Sequence, residues 1–179
     1  NFSGDNNIIV SGNAIPRVAT LFENFDLGEN IPEKWNIIRT ADPYDYYTTV
    51  SITSSTYDVN SAPHAAKMQK MNDTVSPLVF VTPGVTDFNT NTLSFYARRG
   101  HPDYFRVKLA VGVMSDPYHF TDFDTISVFN ITDDFVQYQV TFGEQTKPYI
   151  GFLMVNGDYA HSLSIDDIDW RTIGNNPPN

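Results

Sequence analysis

Residues 105–114 read Phe-Arg-Val-Lys-Leu-Ala-Val-Gly-Val-Met. Phe105, Val107, Leu109, Val111 and Val113 fall on one side of an extended chain; Arg106, Lys108, Ala110 and Gly112 fall on the other. Successive side chains of a pleated strand point to opposite faces, so this alternation marks a strand with one face against a core. Segments rich in Val, Ile, Thr, Phe and Tyr, bounded by Asp, Asn, Pro and Gly, recur at 18–25, 35–40, 47–53, 65–70, 78–82, 92–99, 124–130, 135–142, 148–155 and 162–171. No segment carries the 3.6-residue period of an amphipathic helix. The pattern predicts an all-β chain folded as a two-sheet antiparallel β-sandwich, or jelly roll, which manages sheet edges by packing two layers.

The 179 residues include 13 Phe, 10 Tyr and 2 Trp, enough for one domain with a real core. Residues 1–17 and 174–179, rich in Asn, Gly, Ser and Pro, read as linkers around a module at 18–173. That organisation predicts a monomer within a multidomain chain. Eleven Lys and Arg against 21 Asp and Glu give a net charge of −10, which disfavours nucleic acid. No apolar run suits a membrane span, so membrane insertion is not expected. The absence of cysteine excludes disulfides, thiol nucleophiles and Cys-ligated metals.

The last strand breaks its own parity. Leu163 and Ile165 lie on one side of the Asp166–Asp167 pair, and Ile168 and Trp170 on the other, so one carboxylate shares a side with apolar neighbours unless a bulge intervenes. In the first strand Glu23 likewise shares parity with Leu21 and Phe25, with Asp26 next in line. If the terminal strands pair, Glu23 approaches Asp166 or Asp167, and like charges there call for a hard divalent cation with oxygen ligands. The alternative is that these acids face solvent or pair with Arg17 or Arg171. Glu23, Asp26, Asp166 and Asp167 are therefore the candidate metal ligands.

Phe22-Glu23-Asn24-Phe25 followed by Ile31-Pro32-Glu33-Lys34-Trp35 resembles the opening of the cleaved-adhesin domains, MAM-like jelly rolls of Bacteroidetes surface proteins related to calcium-containing carbohydrate-binding modules. Leu93-Ser94-Phe95-Tyr96, Val111-Gly112-Val113-Met114-Ser115-Asp116-Pro117, Tyr149-Ile150-Gly151-Phe152 and Ile165-Asp166-Asp167-Ile168 follow in the same order, so the resemblance spans about residues 20–171. Glu33-Lys34 stands where the family usually has a glycine before the tryptophan. The resemblance implies structural calcium, with Glu23 and Asp167 (or Asp166) as ligands, and a role in adhesion or carbohydrate binding in a secreted or cell-surface protein.

Catalytic motifs are missing: the four histidines form no HExxH or HxH, and no GxSxG elbow, phosphate loop or dinucleotide fingerprint occurs. The chain is expected not to be an enzyme. Sugar recognition needs aromatic faces with polar side chains beside them. Tyr44, Tyr46 and Tyr47 supply these in one loop; Arg98, Arg99, His101, Tyr104 and Arg106 form a cationic cluster suited to an acidic or sulfated polysaccharide. On the alternative reading these arginines pair with the surplus Asp and Glu. Tyr118 is a third candidate, exposed with His119 if Phe120 tucks inward. Trp35 and Trp170 are expected in the core, and His64 and His161 at the surface. The expected partner is a polysaccharide or other glycan; the alternative is a protein–protein adhesion or haemagglutinin domain.

Overall fold

The computed structural model describes residues 16–39, 48–70, 76–103, 106–155 and 161–172. Eleven strands follow in order: β1 (Leu21–Glu23), β2 (Asn36–Arg39), β3 (Thr49–Thr53), β4 (Ala65–Lys70), β5 (Leu78–Val81), β6 (Asn91–Arg99), β7 (Lys108–Met114), β8 (Asp124–Asn130), β9 (Val136–Thr141), β10 (Tyr149–Val155) and β11 (His161–Thr172). Each expected strand is present, and there is no helix among the described residues. One sheet runs β3-β4-β11-β6-β9 with β1 also on β11; the other runs β2-β5-β10-β7-β8. Every strand pairing is antiparallel. The two sheets stack into a sandwich around one large apolar core.

β11 shows how the sequence builds the six-stranded layer. β4 pairs with its first half, from His161 to Ile165, and β1 pairs with its second half, Leu21 opposite Trp170 and Glu23 opposite Ile168. Asp166 and Asp167 sit at the seam. The register to β6 shifts between Asp166 and Asp169, a bulge that resets the parity. As a result Leu163, Ile165, Ile168 and Trp170 all enter the core and are fully buried. Asp167 adopts a φ of 48°, a left-handed conformation that Asp tolerates better than most residues. Without the extra residue, half of β11 would turn its apolar side chains to solvent.

Both tryptophans are buried as expected. Trp35 stacks on Phe80 with centroids 4.6 Å apart, and the Trp170 indole N–H donates to the Thr86 carbonyl at 3.0 Å. His161 is a correction: it opens β11 opposite Lys70 instead of lying in a turn, and is buried there.

The outward side of the five-stranded sheet is not polar. Ile38, Val79, Val81, Met114 and Tyr149 form a second apolar cluster there, with Phe123 and Leu153 packed on it. Gly112 and Gly151 face each other across β7 and β10. A Cβ on Gly112 would lie 2.6 Å from the Phe123 ring and 2.3 Å from the Asp124 carbonyl oxygen; one on Gly151 would lie 2.8 Å from the same ring. The two glycines thus make a bare floor for Phe123. Phe123, not Phe120, is the inward residue of the 115–123 loop, because only its ring reaches that floor; Phe120 remains 40% exposed.

Candidate functional site

The outward side of the six-stranded sheet is polar, and half of it is sealed. In β6, Leu93, Phe95 and Ala97 are buried, so Thr92, Ser94, Tyr96 and Arg98 point away from the core. Residues 54–61 fold over the seam of β11 and are fastened by the Asp pair. Asp166 Oδ2 accepts the N–H groups of Asn60 (2.8 Å) and Ser61 (2.9 Å), while Oδ1 accepts that of Asp167 (2.8 Å). Asp167 accepts from the Asn60 amide (2.8 Å) and the Ser61 hydroxyl (2.7 Å). Asp58 adds an ion pair to Lys67 at 2.8 Å and accepts from the Ser164 hydroxyl at 3.4 Å. Burial pushes the Asp166 carboxyl up to about 6; the Asp167 charge pushes the same way, against the N–H donors.

Among the described residues no such loop covers the other half of this face, and Gln137, Gln139 and Thr141 are exposed there. Across β6 and β9, Tyr96 stands opposite Gln137, Ser94 opposite Gln139, and Thr92 opposite Thr141. The Arg98 guanidinium donates through Nη1 to the Tyr57 carbonyl, which ties the covering loop down beside this row. The Tyr57 side chain stays at the surface, with the residue 77% exposed. The result is a strip of amides and the Ser94 hydroxyl with one tyrosine in its floor and another at its border. The Thr92 hydroxyl at its end is buried, and the Asp169–Arg171 ion pair of β11 flanks it. Nothing local in sequence marks Gln137 or Gln139. The available signal was the strict alternation of β6, which assigns Ser94 and Tyr96 to one face once the opposite face is known to be core.

The two arginines of the cationic cluster on β6 are held apart. Consecutive residues of a strand point to opposite sides, so Arg98 and Arg99 diverge. Arg98 donates to the Tyr57 and Arg99 carbonyls and lies over the Phe135 ring, 5.8 Å from its centroid. Arg99 forms an ion pair with Asp133. That bond, reinforced by the charges of Arg99, Arg98 and His101, holds the Asp133 carboxyl below its ordinary range. His101 Nδ1 lies 3.4 Å from the Asp103 carboxylate. Arg106 is exposed in the turn before β7. Tyr44, Tyr46, Tyr47 and Tyr104 lie outside the described residues.

The four candidate ligand carboxylates form two pairs. β1 brings Glu23 opposite Ile168, one residue beyond Asp167. Yet the acid that acts on Glu23 is Asp26: burial, with the Asp26 charge adding to it, raises the Glu23 carboxyl, while the Phe25 N–H bonded to its Oε1 at 2.8 Å opposes the rise. Among the described residues, no three His, Asp or Glu side chains gather closely enough to share a metal ion. The turn at 23–26 is tight, with Phe25 at φ 61°. Asn24 donates its amide to Asp26 Oδ2 at 2.6 Å, and Asp26 Oδ1 is buried with no hydrogen-bond partner.

No family model matches this chain, and no curated protein matches it. Among solved structures it is similar to the K1 cleaved-adhesin domain of Lys-gingipain from Porphyromonas gingivalis W83, with a TM-score of 0.71 at 16% identity over 87% of this chain and 99% of that one. It is similar also to the CBM22-1 xylan-binding domain of Xyn10C from Paenibacillus barcinonensis, at 0.54 and 12% identity over 87% and 95% of the two chains. A family 61 carbohydrate-binding module solved with β-1,4-galactotriose aligns at 0.53 and 10% identity over 78% and 89%. These likenesses are of fold: the chain has the sandwich shared by cleaved-adhesin domains and carbohydrate-binding modules.

Proposed function

We propose that this chain is a non-catalytic carbohydrate-binding module of an exported bacterial protein, secreted or held at the cell surface. The glycan would lie along the open half of the six-stranded sheet. The observation that carries this reading is the Tyr96–Gln137 and Ser94–Gln139 row beside exposed Tyr57. Tyrosine faces suit the C–H side of a pyranose, and amides suit its hydroxyls. Neutral chains lead, because Arg98 on this face already donates to the Tyr57 and Arg99 carbonyls, and Arg99 points away from it and pairs with Asp133. The test is calorimetry with xylohexaose, β-1,4-galactotriose and dextran sulfate. At least one neutral oligosaccharide should bind, and Tyr96→Ala should weaken its binding at this face tenfold or more, about 1.4 kcal/mol at the least. Binding of dextran sulfate alone, lost in Arg98→Ala, would reverse the charge preference.

Protein adhesion is the second reading, favoured by the closer likeness to an adhesin domain than to either sugar-binding module. Saturable binding to a protein ligand with silence across a broad glycan array would select it.

We also propose a structural calcium ion at the 23–26 turn. The buried, unpartnered Asp26 Oδ1 beside a raised Glu23 carboxyl supports it, since two half-buried acids side by side suit a hard cation. Glu23 and Asp26 would hold it together with backbone carbonyls, while Asp166 and Asp167 close the 54–61 loop. Calcium at about a hundred times its Kd should stabilise the fold by about 2.7 kcal/mol. EDTA should lower the melting temperature, and Asp26→Ala should abolish the response. An identical melting curve with and without EDTA would refute the ion.

A further inference from the structure

The loop at 115–123 is held at several points and yet leaves an aromatic ring in the open. At its ends the Ser115 N–H donates to the Asp122 carboxylate at 3.1 and 3.2 Å. Lys147 reaches across to Asp124 at 2.7 Å and also to Asp122. In its middle Asp116 accepts the Tyr118 N–H at 2.8 Å and meets His119 Nδ1 at 2.7 Å. Phe123 rests on the floor of Gly112 and Gly151. A loop so fixed has already lost its conformational freedom on folding. Tyr118 nonetheless remains 61% exposed, so little of the area it carries is used for stability.

Beside Tyr118 lies a cleft of about 370 Å³, at the junction of this loop, the 33–36 turn and the 83–84 segment. Its walls are Tyr118, Tyr149, Trp35 and prolines, and Glu33 and Asn36 bring a carboxylate and an amide to it. At roughly 30 Å³ per water, the space equals about a dozen waters. That suits one or two sugar rings better than a folded protein surface. The aromatic walls match C–H faces, and the polar groups match hydroxyls. Glu33 and Lys34 bring one charge of each sign, so the lining carries no net charge and suits an uncharged ring. Tyr149 belongs to the apolar cluster outside the five-stranded sheet, so the cleft opens on the side of the sandwich opposite Tyr96.

We infer that this cleft is a second, independent subsite for a neutral glycan, with Tyr118 as its stacking platform, so that one module can bridge two glycan chains. The inference rests on the carbohydrate-binding reading above and extends it to the other face. Preorganisation is the physical reason: a ring held in its bound position loses little further entropy when a sugar stacks on it.

The experiment is calorimetry of the wild type, Tyr118→Ala, Tyr118→Phe, Tyr96→Ala and the Tyr96/Tyr118 double alanine variant, with xylohexaose, β-1,4-galactotriose and mannohexaose as probes. The expected result is two equivalents in the wild type, one in each single alanine variant and none in the double variant. Tyr118→Phe should keep both, since the ring face is retained. A loss confined to Tyr118→Ala, with Tyr96→Ala unaffected, would uphold the cleft and remove the sheet-face site. Unchanged stoichiometry and affinity in Tyr118→Ala, with binding abolished by Tyr96→Ala, would overturn the cleft alone. No binding of any of these probes to the wild type would overturn both. Melting curves of the alanine variants within about 2 °C of the wild type would exclude a folding defect as the cause.

Discussion

Two loops cover the two outward faces of this sandwich, and they are fastened by opposite chemistry. Residues 54–61 are tied to the six-stranded sheet by carboxylates, with Asp166 and Asp167 accepting from Asn60 and Ser61. Residues 115–123 are tied to the five-stranded sheet by a ring, with Phe123 on a floor of two glycines. An attachment through a buried carboxylate depends on protonation, because the charged form is what burial penalises. An attachment through a packed ring depends on volume, because the ring does not titrate; the carboxylates of Asp116 and Asp122 brace the same loop alongside it. The face fastened by charge keeps an open polar strip. The face fastened by packing is apolar, and its loop is stiff enough to hold Tyr118 outward beside the cleft.

The largest effect that should break the comparison is on the packed side. Gly112→Ala places a Cβ against the Asp124 backbone oxygen as well as the Phe123 ring, and backbone cannot swing aside. Overpacking of this kind costs about 1–3 kcal/mol, and the backbone contact argues for about 3. Gly151→Ala meets only the Phe123 ring and the side chains of Val79 and Met114, which can yield, so about 1–2 kcal/mol is expected. Urea midpoints of the two variants check this. Equal losses would mean that the floor is softer than its geometry implies.

The next effect separates the two fastenings by pH. Asp166 rises from 3.8 to about 6 on folding. Between about pH 4 and 6 the native state holds a proton that the unfolded chain has released, so stability falls as pH rises through that window. At 1.36 kcal/mol per pH unit the full difference is about 3 kcal/mol, and relaxation of the covering loop should leave about 2 to be measured. Asp116 and Asp122 behave in the reverse sense. The Tyr118 N–H and His119 lower the first; hydrogen bonds from Ser115, with Lys147 adding to them, lower the second. The stability they contribute is present above about pH 4 and is lost as pH falls through their lowered values. Stability should therefore peak near pH 4 in EDTA, and Asp166→Asn should flatten the limb between 4 and 6 while sparing the acid limb. A wild-type urea midpoint that does not change between pH 7 and 5 would count against the buried carboxylate.

The strands were legible because their signal is local: Leu93, Phe95 and Ala97 alternate with Ser94, Tyr96 and Arg98 whatever lies around them. The parity break at Asp166–Asp167 was equally visible. Its resolution was not, since a bulge and an exposed carboxylate leave the same trace in one sequence, and only pairing with β1 and β6 decides. The fate of the arginines was half legible. Alternation already sends Arg98 and Arg99 to opposite sides, but the partner that occupies Arg99 is Asp133, 34 residues away. The acids at the chain's two ends do approach through β1 and β11, yet side-chain direction at the seam divides them into two pairs.

The smallest effect tests which phenylalanine anchors the 115–123 loop. Phe120 and Phe123 are three residues apart in an aromatic-rich segment, and sequence alone favours neither. The choice is made by β7 and β10, whose register sets Gly112 opposite Gly151 and opens a ring-sized gap above them. Phe120 only leans on the outer side of Phe123, with centroids 5.7 Å apart. Phe120→Ala should therefore cost about 0.5–1 kcal/mol, the worth of an aromatic pair at a surface. Phe123→Ala removes the ring from the glycine floor and should cost about 2 kcal/mol or more. It should also free Tyr118, so that any glycan affinity of the cleft falls even though no residue lining it has changed. If Phe120→Ala proves the costlier, the loop is seated differently, and the fixed exposure of Tyr118 loses its physical basis.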